Sequence, residues 1–516
     1  MKLEKIKNAL ISVSNKEGLD EICKILNRFN INIISSGGTF RYISKLGFRC
    51  TEISKYTGFK EMLDGRVKTL HPKIHAGILH NRSKKHFKEM KGKKFPSIDL
   101  IIVNFYPFQK IIKSHKNINR IIDNIDIGGP TLVRAAAKNF KNVCILTNTK
   151  QYKNFIKEIK LYKGKTTLNF RELMSSDAFG LTAYYDAIIS DWFNKKLKID
   201  FPERKAIFAK KLEKLSYGEN PHQKSAIYIS DYDDDNLNLK KLSGKKLSYN
   251  NYSDIYSSLD ILSSFSKKPT TVVVKHSNPC GISSDNNLFS SLVNAYDCDP
   301  VSAFGGIVAC NFKINKKIAN FLKGKFIEVI LAKGFDKDSL RILRSKKNLR
   351  IIDISGFKTK NKTEIKIDHN VLFIQDKNKI LIEKKKLGYV TKNKPNKKEM
   401  KYLEFAFNCC KHVKSNAIVI TKAFSTIGIG AGQPSRLDSS KIAAEKAKKF
   451  HKKKLKNAVA ASDGFFPFAD SIKNLVKSGV KTIIQPGGSI RDKEVIDAAN
   501  KAKVKMIFTG TRHFKH

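Results

Sequence analysis

Lys275-His276-Ser277-Asn278-Pro279-Cys280-Gly281 follows the β-branched run Thr271-Val272-Val273-Val274, so a lysine and a histidine stand together where a strand ends and a turn begins. An ammonium beside an imidazole disfavours the imidazolium form and leaves a neutral base next to a fixed positive charge. Such a pair suits proton abstraction with stabilisation of a developing anion. A surface Lys-His pair without chemistry is the other reading, and the pair alone does not decide. Polar and glycine-rich strings follow at Ser302-Ala303-Phe304-Gly305-Gly306, Lys414-Ser415-Asn416, Ser462-Asp463-Gly464-Phe465 and Gln485-Pro486-Gly487-Gly488-Ser489. Gly428, Gly430 and Gly432 fit a nucleotide loop and a packing hairpin about equally well.

A second kind of chemistry is written nearer the start. Ser35-Ser36-Gly37-Gly38-Thr39 lies between an apolar strand and a helix, where glycines admit a ligand, hydroxyls donate and a helix N-terminus attracts anions. Ser12-Val13-Ser14-Asn15-Lys16 ends the first strand in the same manner, and a parallel sheet brings both loops to one edge. The densest string is Asp64-Gly65-Arg66-Val67-Lys68-Thr69-Leu70-His71-Pro72-Lys73-Ile74-His75. His71 and His75 have the spacing of a helical metal pair, but Pro72 argues against a continuous helix through them and no third ligand lies near, so no metal is expected. Asp126-Ile127-Gly128-Gly129-Pro130 opens a helix that carries Arg134 and Lys138 one turn apart.

The elements that must position these residues are legible as apolar runs. Ala9 to Val13, Ile31 to Ile34, Leu100 to Val103 and Val143 to Leu146 read as buried parallel strands, with helices at Glu17 to Phe29, Phe40 to Leu46 and Pro130 to Phe140. A helix over Phe170 to Phe193 precedes a polar linker, Asn194 to Glu203. Beyond it, strands are expected at Thr271 to Val274, Gly306 to Ala309, Val329 to Leu331, Ala417 to Ile420, Ala458 to Ala461 and Thr482 to Ile484. Arg344 to Lys386 reads as charged and irregular, a divider between two subdomains near residues 345–390. An α/β architecture follows, with one domain over residues 1–200 and a second region over 201–516.

The 516 residues are 41% hydrophobic and 28% charged, enough for large cores and against global disorder. Lys and Arg number 99 against 46 Asp and Glu, a formal net charge of +53. The basic residues run from end to end rather than in an aromatic-interleaved stripe, which favours solvated surface over a nucleic-acid interface. Eight cysteines without a CxxC pattern point to a reducing compartment. No cleavable signal and no run of 18 apolar residues is seen, so the expectation is a cytoplasmic protein without membrane or nucleic-acid partners.

The string DGRVKTLHPKIHAGIL, with NFYPF at 104–108 and IDIGGPTLVRAAAKN at 125–139, resembles the bifunctional purine-biosynthesis enzymes. These join an aminoimidazole carboxamide ribotide (AICAR) transformylase to an inosine monophosphate (IMP) cyclohydrolase, and the resemblance spans the chain to Phe508-Thr509-Gly510-Thr511-Arg512-His513-Phe514, an ending that makes the chain look complete. It implies an N-terminal methylglyoxal-synthase-like domain followed by a duplicated cytidine-deaminase-like transformylase region working as a homodimer with sites at the subunit interface. The nucleotide phosphate then lies against Ser12, Ser14, Lys16, Ser36, Gly37, Gly38 and Thr39. Lys68, Thr69, Asn104, Tyr106, Asp126 and Gly128 surround base and ribose, and Lys138 matches the catalytic lysine of cyclisation. Lys275, His276 and Asn416 carry the transfer. Tyr217, Phe304, Gly305, Glu328, Arg436, Phe465 and Arg512 match nucleotide contacts, while Leu437 and Ser489 lie near the folate. The formyl donor, 10-formyltetrahydrofolate, is a cosubstrate, and no tightly bound cofactor is implied. Three positions depart from the family: Ser216 replaces Arg, His369-Asn370 replaces Gly-Gly, and Lys333 replaces Pro. Retention of only one activity, or a basic polyanion-binding protein on the same scaffold, are the alternatives.

Overall fold

The computed structural model describes residues 2–65, 67–230, 239–358 and 363–516. They divide into two compact units, the first built on the chain up to Lys210 and the second on most of the remainder.

The first unit is a parallel sheet with helices on its faces. Its strands and helices are β1 (Asn8–Val13), α1 (Leu19–Arg28), β2 (Asn32–Ser35), α2 (Gly37–Lys45), β3 (Cys50–Glu52), α3 (Pro72–Leu79), β4 (Leu100–Asn104), α4 (Gly128–Lys138), β5 (Cys144–Leu146) and α5 (Leu168–Leu197). The strand order is β3-β2-β1-β4-β5, parallel throughout. Covered on both faces, the strands need apolar residues at successive positions, and Ala9, Leu10 and Ile11 are fully buried together. In α1 the buried Leu19, Ile22, Cys23 and Leu26 recur at the helical period. Helix α5 runs further than the sequence suggests, consuming the first part of the expected linker, and ends where Lys198 turns left-handed at φ 58°.

The second unit is organised by one twelve-stranded sheet. Its elements are β6 (Lys240–Ser243), α6 (Tyr249–Ser263), β7 (Thr270–Lys275), β8 (Asn278–Ser284), α7 (Leu288–Asp297), β9 (Ile307–Cys310), α8 (Lys316–Lys323), β10 (Val329–Ala332), α9 (Lys337–Arg344) and β11 (Arg350–Asp353), then the hairpin β12 (Thr363–Asp368) and β13 (Val371–Asp376). They continue as β14 (Gly388–Tyr389), α10 (Lys397–Cys410), β15 (Ile418–Lys422), β16 (Ser425–Gly430), α11 (Arg436–His451), β17 (Ala458–Ser462), α12 (Asp470–Lys477), β18 (Val480–Gln485), α13 (Asp492–Lys501) and β19 (Lys505–Phe508). The sheet order, β6-β11-β10-β9-β7-β8-β16-β15-β17-β18-β19-β14, is a palindrome of two like halves meeting at β8 and β16. Each half repeats the chain order strand, helix, hairpin, then three helix-strand steps. At the junction Ser283 faces Ser425 and their hydroxyls lie 2.7 Å apart.

Helices α6 and α10 share one core on one face, with Leu259 and Leu262 joining Leu403 and Phe407. On the opposite face each half keeps its own core, around Ile318 and Leu322 in one and Ala443 and Ile472 in the other. Gly428 and Gly430 belong to this packing: a Cβ at either would strike a backbone carbonyl of α11, so the hairpin reading of these glycines is the correct one. The segment Arg344 to Lys386, of which residues 359–362 lie outside the described ones, is not irregular throughout. It supplies β11, paired on both sides within the sheet, and the β12–β13 hairpin, which is exposed along nearly its whole length. In that hairpin His369 takes the left-handed φ of 51°.

Candidate active sites

In the first unit β1, β2 and β4 end at one sheet edge, where α2 and α4 begin. Ser36 is the N-cap of α2 and leaves its hydroxyl without a capping bond. Gly37 has φ 49°, and a Cβ there would lie 2.5 Å from the ammonium of Lys68. The left-handed φ favours glycine there, and any Cβ would push the flexible end of Lys68 aside. Gly128, first residue of α4, faces Thr69 Oγ1 in the same way, 2.6 Å from an added Cβ. The Lys68-Thr69 strap thus bridges two helix N-termini, an arrangement that gathers amide donors, a hydroxyl and a positive charge for an anionic ligand. Glu61 lies 3.2 Å from Lys68 and occupies part of that charge.

Asp126 sits at the mouth of α4. Its carboxylate accepts the Gly129 N–H at 2.8 Å and the Tyr106 N–H, while its own N–H donates to the Tyr185 hydroxyl at 2.9 Å. Burial raises its pKa above the ordinary carboxylate value, against those two amide bonds. Tyr106 itself is exposed. Two of the expected ligands make hydrogen bonds within the site's own loops. Thr39 Oγ1 bridges the N–H and C=O of Val13, and the Asn104 carboxamide accepts from Ser14 and Asn15 and donates to the Asn15 carbonyl, fixing the Ser12 to Lys16 loop. Gly38 follows Gly37 in the first turn, and Lys16 stays beside the loop with Nζ 3.5 Å from the Ser14 carbonyl. Lys138 is the exception: it closes α4 at the opposite end from Gly128, roughly 15 Å away by helical rise, and is exposed. His71 caps α3 through Nδ1 to the Lys73 N–H, so the two histidines are not a helical pair. Arg66 lies outside the described residues.

In the second unit His276 is not at the strand end but is the first residue of the turn itself. Lys275 pairs with Asn278, leaving His276 and Ser277 as a two-residue loop with φ 53° and 60°. Lys275 Nζ donates to the Phe304 carbonyl at 2.8 Å. The exposed His276, with Lys275, Asn278, Gln433 and Lys446, lines a cavity of about 470 Å³. Asn416 is not among the residues that line it, and its amide is committed: Nδ2 donates to the Gln433 and Pro434 carbonyls at 2.9 and 2.8 Å, and Oδ1 accepts from Arg436 at 2.8 Å. Arg436, buried, also pairs with the fully buried Asp463, to which Ser415 Oγ donates at 2.6 Å. These two expected contacts therefore form an internal network, and sequence reading missed its centre, Asp463.

The remaining expected contacts share the same sheet edge but are spread along it. Phe304, exposed and 4.8 Å from the Phe326 ring, and Gly305 precede β9, and Glu328, held by Asn251 Nδ2 at 2.8 Å, precedes β10. Phe465 follows β17, Ser489 follows β18, Leu437 opens α11, and Arg512, 4.8 Å over the Phe514 ring, follows β19. Tyr217 is exposed and its carbonyl accepts from the Ser225 hydroxyl. From β10 to β18 is seven strand steps, about 34 Å, more than one small ligand spans. Among the described residues no cluster of His, Cys, Asp and Glu could hold a metal ion, no helix is long and apolar enough to cross a membrane, and the eight cysteines are free.

A methylglyoxal-synthase-like unit followed by a larger transferase-type unit is the class these arrangements define: the MGS-like domain model matches residues 18–131, and the AICARFT/IMPCHase bienzyme model matches residues 136–446. The bifunctional purine biosynthesis protein PurH of Aquifex aeolicus (strain VF5) is 44% identical over 511 residues, 98% of this chain and 100% of its own. That of Thermoanaerobacter sp. (strain X514) is 44% identical over 513 residues, 99% of this chain and 100% of its own. The crystal structure of ForH is 27% identical, covering 36% of this chain and 99% of its own with a TM-score of 0.33. The chain belongs to the AICARFT/IMPCHase bienzyme family.

Proposed function

We propose that the second unit moves the formyl group of 10-formyltetrahydrofolate to the 5-amino group of AICAR and that the first closes the product to IMP, dividing the activities near residue 200. The observation that carries this reading is that each unit gathers its candidate groups on one sheet edge: the Lys68-Thr69 strap between two helix N-termini in one, the Lys275-His276 turn in the other.

In transfer, the amine of AICAR attacks the formyl carbon while His276 takes its proton. The tetrahedral centre then collapses with cleavage of the bond to folate N10, which leaves protonated as tetrahydrofolate. Lys275 stabilises the developing charge from beside the base. In cyclisation the carboxamide nitrogen attacks the formyl carbon and water departs. Asp126, whose pKa burial raises above the ordinary carboxylate value, is the acceptor, with Lys68 and Tyr106 as donors and the phosphate held at Ser36 to Gly38. The folate arrives as a cosubstrate, and the reaction is placed in the cytoplasm.

A homodimer completes this reading. The 34 Å spread from Glu328 to Ser489 supports a site made by two copies, and the role that the resemblance gives Lys138 is met only if a second copy presents it. The exposed β12–β13 hairpin, bearing Ile365, Ile367 and Leu372 on one face, also calls for cover. Purified protein given AICAR and 10-formyltetrahydrofolate should release tetrahydrofolate and IMP, followed separately. Tetrahydrofolate without IMP removes the first activity, and neither product removes the proposal.

A further inference from the structure

The turn that carries His276 is conformationally expensive. Two-residue hairpins with both central residues left-handed are made by Asn-Gly and similar pairs, whereas His276 and Ser277 both have a Cβ that resists this conformation. Asp254, the sixth residue of α6, faces the turn. One carboxylate oxygen accepts the Ser277 N–H at 2.6 Å and the other the His276 N–H at 3.3 Å, and the neighbouring Ser253 hydroxyl lies 2.9 Å from that of Ser277. The other half of the sheet supplies an internal control. There the equivalent turn is Ala423-Phe424, and Tyr402, also the sixth residue of its helix, occupies the place of Asp254 with its ring 5.1 Å from Phe424. Only Ala423 is left-handed in that turn. Both residues adopt the costly conformation only where a carboxylate is present to receive two adjacent N–H groups.

We infer that Asp254 is a positioning residue for the transfer site, its carboxylate clamping the left-handed turn that aims His276 and Lys275 at the substrates. The inference rests on the reading of His276 as the transfer base. Asp254→Asn in the full-length protein replaces one acceptor by a donor that faces an N–H, so the clamp opens. Transfer kcat should fall on the order of 10²-fold, the scale of a roughly 1 Å misplacement, with the KM for AICAR little changed and closure of formyl-AICAR at the wild-type rate. Asp254→Glu, which keeps the charge and displaces the acceptors, should lose transfer in the same direction. Adding Ser277→Gly to Asp254→Asn lets the turn hold its shape unclamped and should restore transfer at least about tenfold, a rescue that a general loss of stability does not give. His276→Ala is measured beside them. If it abolishes transfer while Asp254→Asn retains wild-type kcat, or if the double variant shows no recovery, the positioning role is wrong and the base stands. If His276→Ala transfers normally, the site reading itself has failed.

Discussion

The two halves of the twelve-stranded sheet are built alike in backbone and differently in a few side chains, and the difference falls at the turn proposed to carry formyl transfer. Gly281 in β8 lies against the carbonyl of Ala295, and Gly428, at the same place in β16, lies against that of Ala443. Lys275 reaches the Phe304 carbonyl just ahead of β9, and Lys422 reaches the Lys456 carbonyl just ahead of β17 at 2.6 Å. The lysine-to-carbonyl bond is thus part of the repeated architecture before it is part of a site. What the first half has alone is His276 in place of Ala423, Ser277 in place of Phe424 and Asp254 in place of Tyr402. One hairpin was left open to solvent with a histidine at its tip, and the other was filled with aromatic rings that also receive Lys268 at 4.0 Å.

The most direct way to break the comparison is to make the turns alike. His276→Ala converts the live turn toward its silent counterpart, and formyl transfer should fall about 10²- to 10⁴-fold, the usual cost of a lost general base, with cyclisation unchanged. A variant that transfers at the wild-type rate means that another group takes the proton. The reverse change, Ala423→His, should confer nothing, because Phe424 and Tyr402 close that edge.

Asp463 offers a second contrast. It follows β17 as Asn311 follows β9, and each donates its backbone N–H to the residue opening the neighbouring strand region, Ala417 and Thr270. Asn311 spends its amide on the carbonyls of Phe265 and Lys268, whereas Asp463 neutralises Arg436. Asp463→Asn makes the halves alike but leaves a buried guanidinium without its counter-charge, for which about 3 kcal/mol of stability is the expected cost. Chemical denaturation of the full chain checks the figure. A loss below about 1 kcal/mol means that Arg436 finds water or another acceptor.

Much of this was readable beforehand. Runs such as Thr271 to Val274 and Ala458 to Ala461 announce strands because burial on both faces favours β-branched and apolar residues at successive positions, and the loops Ser35 to Thr39 and Lys275 to Gly281 are marked by residues with few other uses. What stayed hidden depends on partners distant in sequence. Asp254 is an ordinary helical aspartate until the fold sets it beside a turn 22 residues later. Nothing local says that Asn104 and Asn416 spend their amides on backbone, or that Lys138 lies at the far end of its helix. The palindrome of strand order escaped as well, since β11 is four residues long with charged ends and β14 only two.

The silent turn should matter for stability where the live one matters for rate. Phe424 packs on Tyr402 and Phe405 at ring distances of 5.1 and 5.8 Å but remains partly exposed. Phe424→Ala should therefore cost about 2 kcal/mol, less than the 3 to 5 typical of a fully buried ring, and leave transfer intact. Thermal unfolding and the transfer rate, measured on one preparation, separate the two effects. A fall in transfer that exceeds the fall in folded fraction would show the aromatic turn acting on the distant site.

The smallest effect tests the turns' backbone cost. A left-handed residue with a Cβ is disfavoured by about 1–2 kcal/mol, and glycine returns most of this while losing roughly 0.5–1 kcal/mol through its freer unfolded chain. Ala423→Gly gives up no hydrogen bond, so it should stabilise by about 0.5 kcal/mol, a rise of roughly 1–2 °C in Tm. Ser277→Gly gains the same relief but forfeits the Ser253–Ser277 hydroxyl contact, whose loss costs about 1 kcal/mol, and so should leave Tm unchanged or slightly lower. The order of the two variants is the informative quantity. If Ser277→Gly stabilises more than Ala423→Gly, the hydroxyl pair contributes nothing and the clamp on the live turn is the Asp254 carboxylate alone.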